Sequence, residues 1–250
     1  IILLFNPTLK KELAVFSNKY ILVYTLVMAL ISSVSLAFVV NGLKPMHEQN
    51  EAVFKKKEIL NSIKDQIGMD PTTMTPADVN KLFAEKVEKV VIDANGKKVE
   101  GADAESIDMA AEEKKPEKDR KYPLFIYKTD KGNIYLMSVR GNGLWDKIWG
   151  TIAIKDDFNT IAGASFGHVG ETPGLGAEIK DNASFPKSFH DKKIMQDGQY
   201  VSVKVVKGGL KHPEHEVDAI SGATITSTGV SNMLTKGISV YLPYFQSLKK

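Results

Sequence analysis

The sequence predicts an α+β protein in which one N-terminal transmembrane helix precedes an extracytoplasmic domain with an antiparallel β core. An uncharged apolar run near the N-terminus predicts the membrane helix. Strand-like segments joined by short turns predict the β core, and a helical stripe of apolar residues comes after them. With 250 residues, of which 43% are hydrophobic and 25% charged, the chain can bury one core with room for a small appendage.

The apolar run YILVYTLVMALISSVSLAFVV extends from Tyr20 to Val40 without a charged residue. As a helix it would span about 31 Å, which matches the hydrocarbon core of a bilayer. A cleaved signal peptide has a shorter apolar region with a small-residue cleavage site close behind it, whereas this run continues into Asn41 and Gly42. We therefore predict a permanent transmembrane helix at residues 20–43.

The charges on the two sides of this helix predict its orientation. Lys10, Lys11 and Lys19 precede the helix, whereas Lys44 alone follows it closely. Because positively charged flanks stay in the cytoplasm, residues 1–19 are predicted to be a cytoplasmic segment. The remainder of the chain would then lie in the periplasm, outside a bacterial inner membrane.

Residues 44–120 are predicted to form a helical and β-hairpin part close to the membrane. Apolar spacing predicts a helix over residues 49–67 that ends at the sequence MDP, residues 69–71. A second helix should begin with Thr75 as its cap and Pro76 at its first position.

Two further segments complete this part of the chain. A strand, a turn at Asn95-Gly96 and a returning segment are expected next. The stretch DAESIDMAAEEKKPEKDRK, residues 103–121, is rich in charge and poor in apolar residues. We expect it to be a solvated excursion on the surface.

Residues 121–250 are predicted to form the main β-rich core. Hairpins are expected around residues 130–133 and 156–159, and a further strand over residues 200–208. A closing helix over residues 228–242 carries its apolar positions on one stripe and is expected to stop at the proline that follows.

Composition excludes several classes of function. The net charge of +3 is small and the basic residues are mixed with acidic ones, which argues against a nucleic-acid partner. The chain has no cysteine, so disulfides, thiolate metal sites and a cysteine nucleophile are all excluded.

The sequence SGATITST, residues 221–228, places five hydroxyl residues between a strand-like and a helix-like run. Helix capping needs only one of these hydroxyls. The free N–H groups and the dipole at a helix N-terminus also favour an anion, and Gly222 would let that anion approach the backbone. From the residues alone, phosphate binding and plain capping both remain open.

Two glycine-rich segments upstream are also candidates for a site. GHVGETPGLGAEI, residues 167–179, must be a shaped loop. RGNGLWDKIWG, residues 140–150, holds both tryptophans, Trp145 and Trp149, either as core aromatics or as partners of a flat ring. His168 with Glu171, and the histidine pair in HPEHE, lack a third ligand at a metal-site spacing, so we predict no metal site.

Three motifs occur in the order GNGLW, GETPGLG and DAISGAT with ITS after it. In these motifs the chain resembles the membrane-anchored C subunits of Na+-translocating NADH:quinone oxidoreductases, within the covalent-FMN-binding domain family. The resemblance runs from the N-terminal anchor to the closing helix. It implies that residues 121–250 are an FMN-binding core with one covalent FMN per chain.

The resemblance also implies the roles of single residues. In that family FMN is joined through its phosphate to the threonine that ends SGAT, here Thr224, and Thr226 is the next hydroxyl along the chain. The implied flavin contacts are Trp145, Glu171, Thr172, Leu175, Gly176, Ser221, Gly222 and Ala223. A separate flavin transferase, which uses FAD as its donor, would recognise Asp218, Ser221, Gly222, Ala223 and Thr224. No side chain is expected to act as a catalytic acid or base.

The function that the resemblance implies is electron transfer from NADH towards quinone within a Na+-pumping respiratory complex. The implied partners are the other membrane and redox subunits of that complex and, during maturation, the flavin transferase. Three alternatives stay open: the G subunit of the ferredoxin-dependent Rnf complex, an anchored binding module without a cofactor, and a hydrolase. The hydrolase would need a base beside Ser221, which has no GxSxG elbow.

Overall fold

The computed structural model describes residues 17–130 and 132–249. The chain forms two compact units, Ile1–Glu51 and Ala52–Lys250. The predicted cytoplasmic segment falls almost wholly on residues 1–16, outside the described residues. Lys131, in the predicted turn at residues 130–133, lies outside them as well.

The first unit consists, where it is described, of the beginning of helix α1 (Asn18–Asn61). This helix is 44 residues long and contains an 18-residue window with a mean hydropathy of 2.3. Every residue from 17 to 52 is exposed, so its large apolar side chains face outwards on all sides. By length and composition α1 can cross a membrane, and the predicted span at residues 20–43 lies inside it.

The second unit is built on a five-stranded sheet in which each strand pairs with the next one along the chain. All four pairings are antiparallel. Both predicted hairpins are present, one between β2 and β3 and one between β4 and β5. The strands are β1 (Val87–Asp93), β2 (Lys121–Thr129), β3 (Gly132–Asn142), β4 (Lys147–Lys155) and β5 (Ile161–His168). Residues 44–120 and 121–250 therefore contribute strands to the same sheet.

The sheet buries both of its faces, because successive side chains of a strand point to opposite sides. On one face Leu136 packs with Leu60 at the end of α1 and with Phe83 of the next long helix. On the other face Met137 packs with Leu234 of the closing helix. The apolar runs in the strands are therefore explained by burial on both sides.

Shorter elements surround the sheet. The helices that precede β2 are α2 (Lys64–Ile67), α3 (Pro76–Lys86) and α4 (Met109–Glu112), with 3₁₀ turns at Ala104–Ser106 and Glu117–Asp119. After β5 come α5 (Glu178–Asp181), α6 (Ser184–Lys187), β6 (Met195–Gln196), β7 (Gln199–Tyr200), β8 (Lys204–Val206), β9 (Glu216–Asp218), α7 (Thr224–Ser239) and α8 (Leu242–Leu248). Strands β8 and β9 pair in parallel.

The closing helix differs from its prediction at both ends. It begins at Thr224 instead of residue 228 and ends at Ser239. Pro243 does not stop it. Pro243 lies in the first turn of α8, where a residue without an N–H group loses no hydrogen bond.

The helices before the sheet differ from their predictions where one of them begins and ends. No separate helix begins at residue 49, because α1 continues from Asn18 to Asn61. Thr75 caps α3 with its hydroxyl, and Pro76 occupies the first position. The helix predicted over residues 49–67 is interrupted after Asn61, and its last turn ends at Gly68 with a φ of 74°. A left-handed glycine, and not the sequence MDP, therefore ends it.

Two predictions about irregular segments were wrong. The strand predicted over residues 200–208 is split, because Ser202 has a φ of 63° and its N–H donates to the carbonyl of Ile194. The charged stretch at residues 103–121 is not free of packing. Glu112 is buried, accepts the N–H of Lys121 and pairs with Lys115.

Helix α7 lies unusually close to β3 because glycines line the contact. A Cβ at Gly237 would come within 2.6 Å of Val139, and a Cβ at Gly141 within 2.7 Å of Met233. A Cβ at Gly229 would overlap the backbone carbonyl oxygen of Asn142. The backbone at the end of β3 therefore fixes where the first turns of α7 can lie.

Replacing Gly229 with alanine is expected to destabilise the fold although alanine favours helix by about 1 kcal/mol. The new methyl group would meet a backbone carbonyl that cannot rotate away, so the melting temperature should fall. The matched control is Thr228→Ala, at an exposed neighbouring position. Thermal unfolding of the full chain in detergent would show the difference, and an equal or higher melting temperature for Gly229→Ala would contradict the contact.

Candidate functional site

The candidate site lies where three segments of the second unit meet. The loop at residues 143–146 joins β3 to β4, the loop at residues 169–177 follows β5, and α7 begins at Thr224. The Glu171 carboxylate of the second segment accepts hydrogen bonds from Trp145 of the first and from Thr226 of the third. The predicted motifs GNGLW, GETPGLG and SGAT are thus brought together.

The first turn of α7 offers unpaired backbone N–H groups. Its N-cap residue is Ala223, which has no side chain that could accept a hydrogen bond. Within the described residues, the N–H groups of Thr224, Ile225 and Thr226 have no acceptor. Gly222 precedes them with a φ of 76°, a conformation that glycine adopts without strain. This arrangement has the geometry of an anion site.

The five hydroxyl residues of SGATITST have separate positions. Thr226 and Ser227 are buried. The Thr226 hydroxyl donates to Glu171, and the Ser227 hydroxyl accepts the N–H of Ile220. Thr228 donates to the carbonyl of Thr224. Ser221 and Thr224 are exposed, and their hydroxyls bond to no residue in the described ranges. Simple capping therefore accounts for none of the five.

The Glu171 carboxylate is the central group of the site. It is 5% exposed, and its Oε1 accepts the N–H of Trp145 at 2.9 Å. Its Oε2 accepts the hydroxyl of Thr226 at 2.6 Å. Burial raises the pKa of Glu171, but the Thr226 hydroxyl and the N–H groups of residues 144–146 outweigh burial and hold the pKa below its ordinary value.

Two glycines make room for this carboxylate. A Cβ at Gly143 would overlap Oε1, and a Cβ at Gly176 would overlap Oε2. The backbone N–H of Glu171 also donates to Nδ1 of His168 at 3.2 Å, so the unprotonated nitrogen of a neutral His168 ring is Nδ1. Gly143 of GNGLW and Gly176 of GETPGLG are therefore required by close approach to the carboxylate.

Apolar side chains surround the exposed start of α7. Trp145 is 70% exposed, and its indole Nε1 donates to the Thr172 hydroxyl at 3.1 Å. Leu175 is 41% exposed, and one of its methyl carbons lies 2.6 Å from where a Cβ of Gly222 would be. The other large exposed apolar residues in these segments are Leu144, Val169 and Ile225. Such a patch suits a flat apolar ligand.

Other candidates from the sequence lie outside this cluster. Trp149 is half-buried, and its Nε1 donates to Glu58 at 3.3 and 3.4 Å. Asp218 ends β9 and is exposed. Within residues 17–130 and 132–249, no three histidine, aspartate or glutamate side chains are grouped as a metal site requires.

Comparisons with known proteins agree with this geometry. A family model described as an FMN-binding domain matches residues 143–239, which contain all three segments of the site. The C subunit of the Na(+)-translocating NADH-quinone reductase of Neisseria meningitidis is 36% identical over 91% of this chain and 93% of its own length. The corresponding protein of Pseudomonas aeruginosa is 31% identical over 85% and 88%.

This chain belongs to that family of C subunits.

Solved structures support the same assignment. The crystal structure of the C subunit from Parabacteroides distasonis superposes with a TM-score of 0.71 and 38% identity, over 81% of this chain and 96% of that one. NqrC from Shewanella oneidensis gives a TM-score of 0.67 and 27% identity, over 78% and 98%. The α+β fold with its antiparallel core is confirmed.

Membership in the family confirms the coarse functional predictions. The chain is part of an oxidoreductase complex, and the FMN-binding domain supports the role of an electron-transfer flavoprotein. Other subunits of that complex are its partners. The long apolar helix fits a single-pass membrane anchor.

Two parts of the site were missed in the sequence. From the sequence, Thr226 is only the next hydroxyl after Thr224, yet in the structure its hydroxyl donates to Glu171. The N–H groups of residues 144–146 were not considered. The separate role of Thr226 could have been inferred from SGATIT. Residues two apart in a helix point to different sides, so Thr224 and Thr226 could not share one environment. Nothing local marks the second.

Replacing Thr226 with valine is expected to lower the free energy of unfolding by about 2 kcal/mol, because a buried carboxylate loses a hydroxyl donor. Valine keeps the shape of threonine, so packing is preserved. Thr228→Val is the matched control, since that hydroxyl bonds only within the exposed helix turn. Denaturant unfolding of the full chain in detergent is the measurement, and equal losses for both variants would contradict the role of Thr226.

The stabilisation by Glu171 should depend on pH in a defined direction. Its pKa is lowered in the folded protein, so the ionised form stabilises the fold at pH values above the unfolded pKa of about 4.3. This contribution is lost as the pH falls through the folded pKa. The difference in unfolding free energy between wild type and Glu171→Gln should therefore be constant near neutral pH and shrink in acid. A difference that grows in acid would contradict it.

Proposed function

We propose that this chain carries one FMN, joined through its phosphate to the hydroxyl of Thr224, and relays electrons within a Na+-pumping NADH:quinone reductase. The observation that carries the proposal is the start of α7. Thr224 presents an exposed hydroxyl beside backbone N–H groups that have no acceptor in the described residues. A phosphodiester keeps one negative charge, which those groups and the helix dipole stabilise.

The choice of Thr224 over Thr226 rests on burial and hydrogen bonding. Thr226 is 1% exposed and its hydroxyl donates to Glu171. Modification there would remove this donor and push a phosphate into the core. Thr224 can accept the phosphate without either cost, so it is the better attachment point of the two.

The chain's own residues would bind and orient the flavin. Trp145 and Leu175 offer exposed apolar surface to a ring, and the indole of Trp145 is oriented by Thr172. Gly222 and Ala223 let the phosphate approach the backbone. The residues present therefore fit FMN. When bound, the flavin supplies electron transfer, and the protein tunes its potential through charge, hydrogen bonds and burial.

Attachment requires a partner enzyme, because a threonine hydroxyl is a weak nucleophile without a base. Within the described residues the Thr224 hydroxyl bonds to no side chain that could deprotonate it. In the proposed step a flavin transferase removes the hydroxyl proton, a bond forms between Thr224 Oγ1 and the FMN phosphorus of FAD, and AMP leaves. Exposed Asp218, with residues 221–224, would be the surface that the transferase recognises.

The proposed location is the bacterial inner membrane, with the N-terminus in the cytoplasm and the second unit in the periplasm. Three lysines precede the apolar part of α1 and one follows it closely, which favours this orientation. The exposed apolar side chains of α1 need a lipid environment. A covalent link would keep the cofactor on the protein in a compartment where free FMN is scarce.

Mass spectrometry of the denatured chain, produced together with a flavin transferase, tests the proposal. We expect the peptide that holds residues 221–228 to gain the mass of FMN less water, and we expect Thr224→Val to lose it. Thr226→Val is the control and should keep the modification. Unmodified wild-type chain in the presence of active transferase would favour an anchored binding module without a cofactor.

A further inference from the structure

Glu171 is a buried negative charge that no positive side chain faces in the described parts of the chain. Its carboxylate is held by the Thr226 hydroxyl and by the backbone N–H of Trp145. The ion pairs formed by the described residues involve other carboxylates. Hydrogen-bond donors stabilise the ionised form but contribute no full compensating charge, so the net charge at this position remains negative.

This charge contacts two residues of the candidate site, Trp145 and Thr226. Oε1 accepts the N–H of Trp145, the residue proposed to lie against the flavin ring. Oε2 accepts the hydroxyl of Thr226, which lies two residues after the proposed attachment point. A side chain at Gly143 or at Gly176 would overlap the carboxylate, so both positions need glycine.

We propose that the fixed negative charge of Glu171 lowers the reduction potential of the flavin. This inference rests on the proposed function, because it takes FMN to be bound at Thr224. Each carboxylate oxygen already accepts one hydrogen bond from the protein. The proposed effect on the flavin is electrostatic and depends on the charge of the side chain.

The direction of the effect follows from charge. Full reduction transfers two electrons to the flavin, and uptake of one proton leaves one added negative charge on the ring. At an effective dielectric constant near 20, two unit charges about 10 Å apart change an equilibrium constant by more than tenfold. A neutral residue in place of Glu171 should therefore make reduction easier.

Three variants separate charge from positioning. Glu171→Gln keeps the shape, its carbonyl can accept the same loop N–H groups, and its amide can donate to Thr226. Thr226→Val keeps the charge and removes one hydrogen bond. Glu178→Gln removes a less buried carboxylate at the start of α5, where water screens the charge.

The experiment is a spectroelectrochemical titration of the flavin on the full chain in detergent, produced with a flavin transferase. Glu171→Gln should raise the midpoint potential by about 30 mV or more. For a two-electron couple this corresponds to at least a tenfold change in the equilibrium constant of reduction. Thr226→Val and Glu178→Gln should stay at the wild-type value. An unchanged potential in Glu171→Gln, or an equal rise in Thr226→Val, overturns the proposal.

Two further outcomes distinguish a failure of this inference from a failure of the proposed function and from misfolding of a variant. A wild-type chain without covalent flavin contradicts the proposed function before any potential is measured. If Glu171→Gln does not fold, Glu171→Asp decides, because it keeps the charge and only shortens the side chain. Its melting temperature should fall while its potential stays at the wild-type value, and a raised potential in this variant overturns the proposal.

Discussion

A buried carboxylate without a cation beside it must be held by hydrogen bonds, and Glu171 obtains them from two segments at once. It accepts the backbone N–H of Trp145 in the loop between β3 and β4 and the hydroxyl of Thr226 at the start of α7. Glu171 and Thr226 are buried, so leaving the carboxylate or this hydroxyl unpaired would cost about 1–3 kcal/mol. The site therefore has one arrangement in which all these groups are satisfied.

The sheet and the closing helix place these groups within reach of Glu171. Gly229 packs against the backbone carbonyl of Asn142, the last residue of β3. The first turns of α7 therefore lie directly beside the loop that joins β3 to β4. The same helix packs its apolar stripe on the sheet. Packing thus fixes the helix N-terminus, and the unpaired N–H groups of its first turn are held where an anion can reach them.

The local patterns of the sequence were sufficient for most of the fold. Both hairpins, the cap at Thr75 and the apolar run of α1 depend on neighbouring residues, and all of them are present. The SGAT motif was recognisable for the same reason. The start of α7 was misplaced because Ala223 is a poor cap and gives no local signal.

The rest could not be predicted because it depends on contacts that are distant in sequence. Thr226 and Glu171 are 55 residues apart, and backbone N–H donors leave no mark on residue type. Ser202 breaks a strand-like run because its N–H, like that of Val201, bonds to Ile194. In the sequence Gly143 and Gly176 resemble ordinary loop glycines. Their role depends on the Glu171 carboxylate that lies against both of them in the structure.

Backbone hydrogen exchange of the flavin-free full chain tests most directly whether the site is assembled before the cofactor arrives. The account predicts slow exchange for the amide of Trp145, because Glu171 accepts it. It predicts fast exchange for the amides of Thr224 and Ile225, which have no acceptor in the described residues. Fast exchange at Trp145 would contradict it, because the loop would then not be held by Glu171.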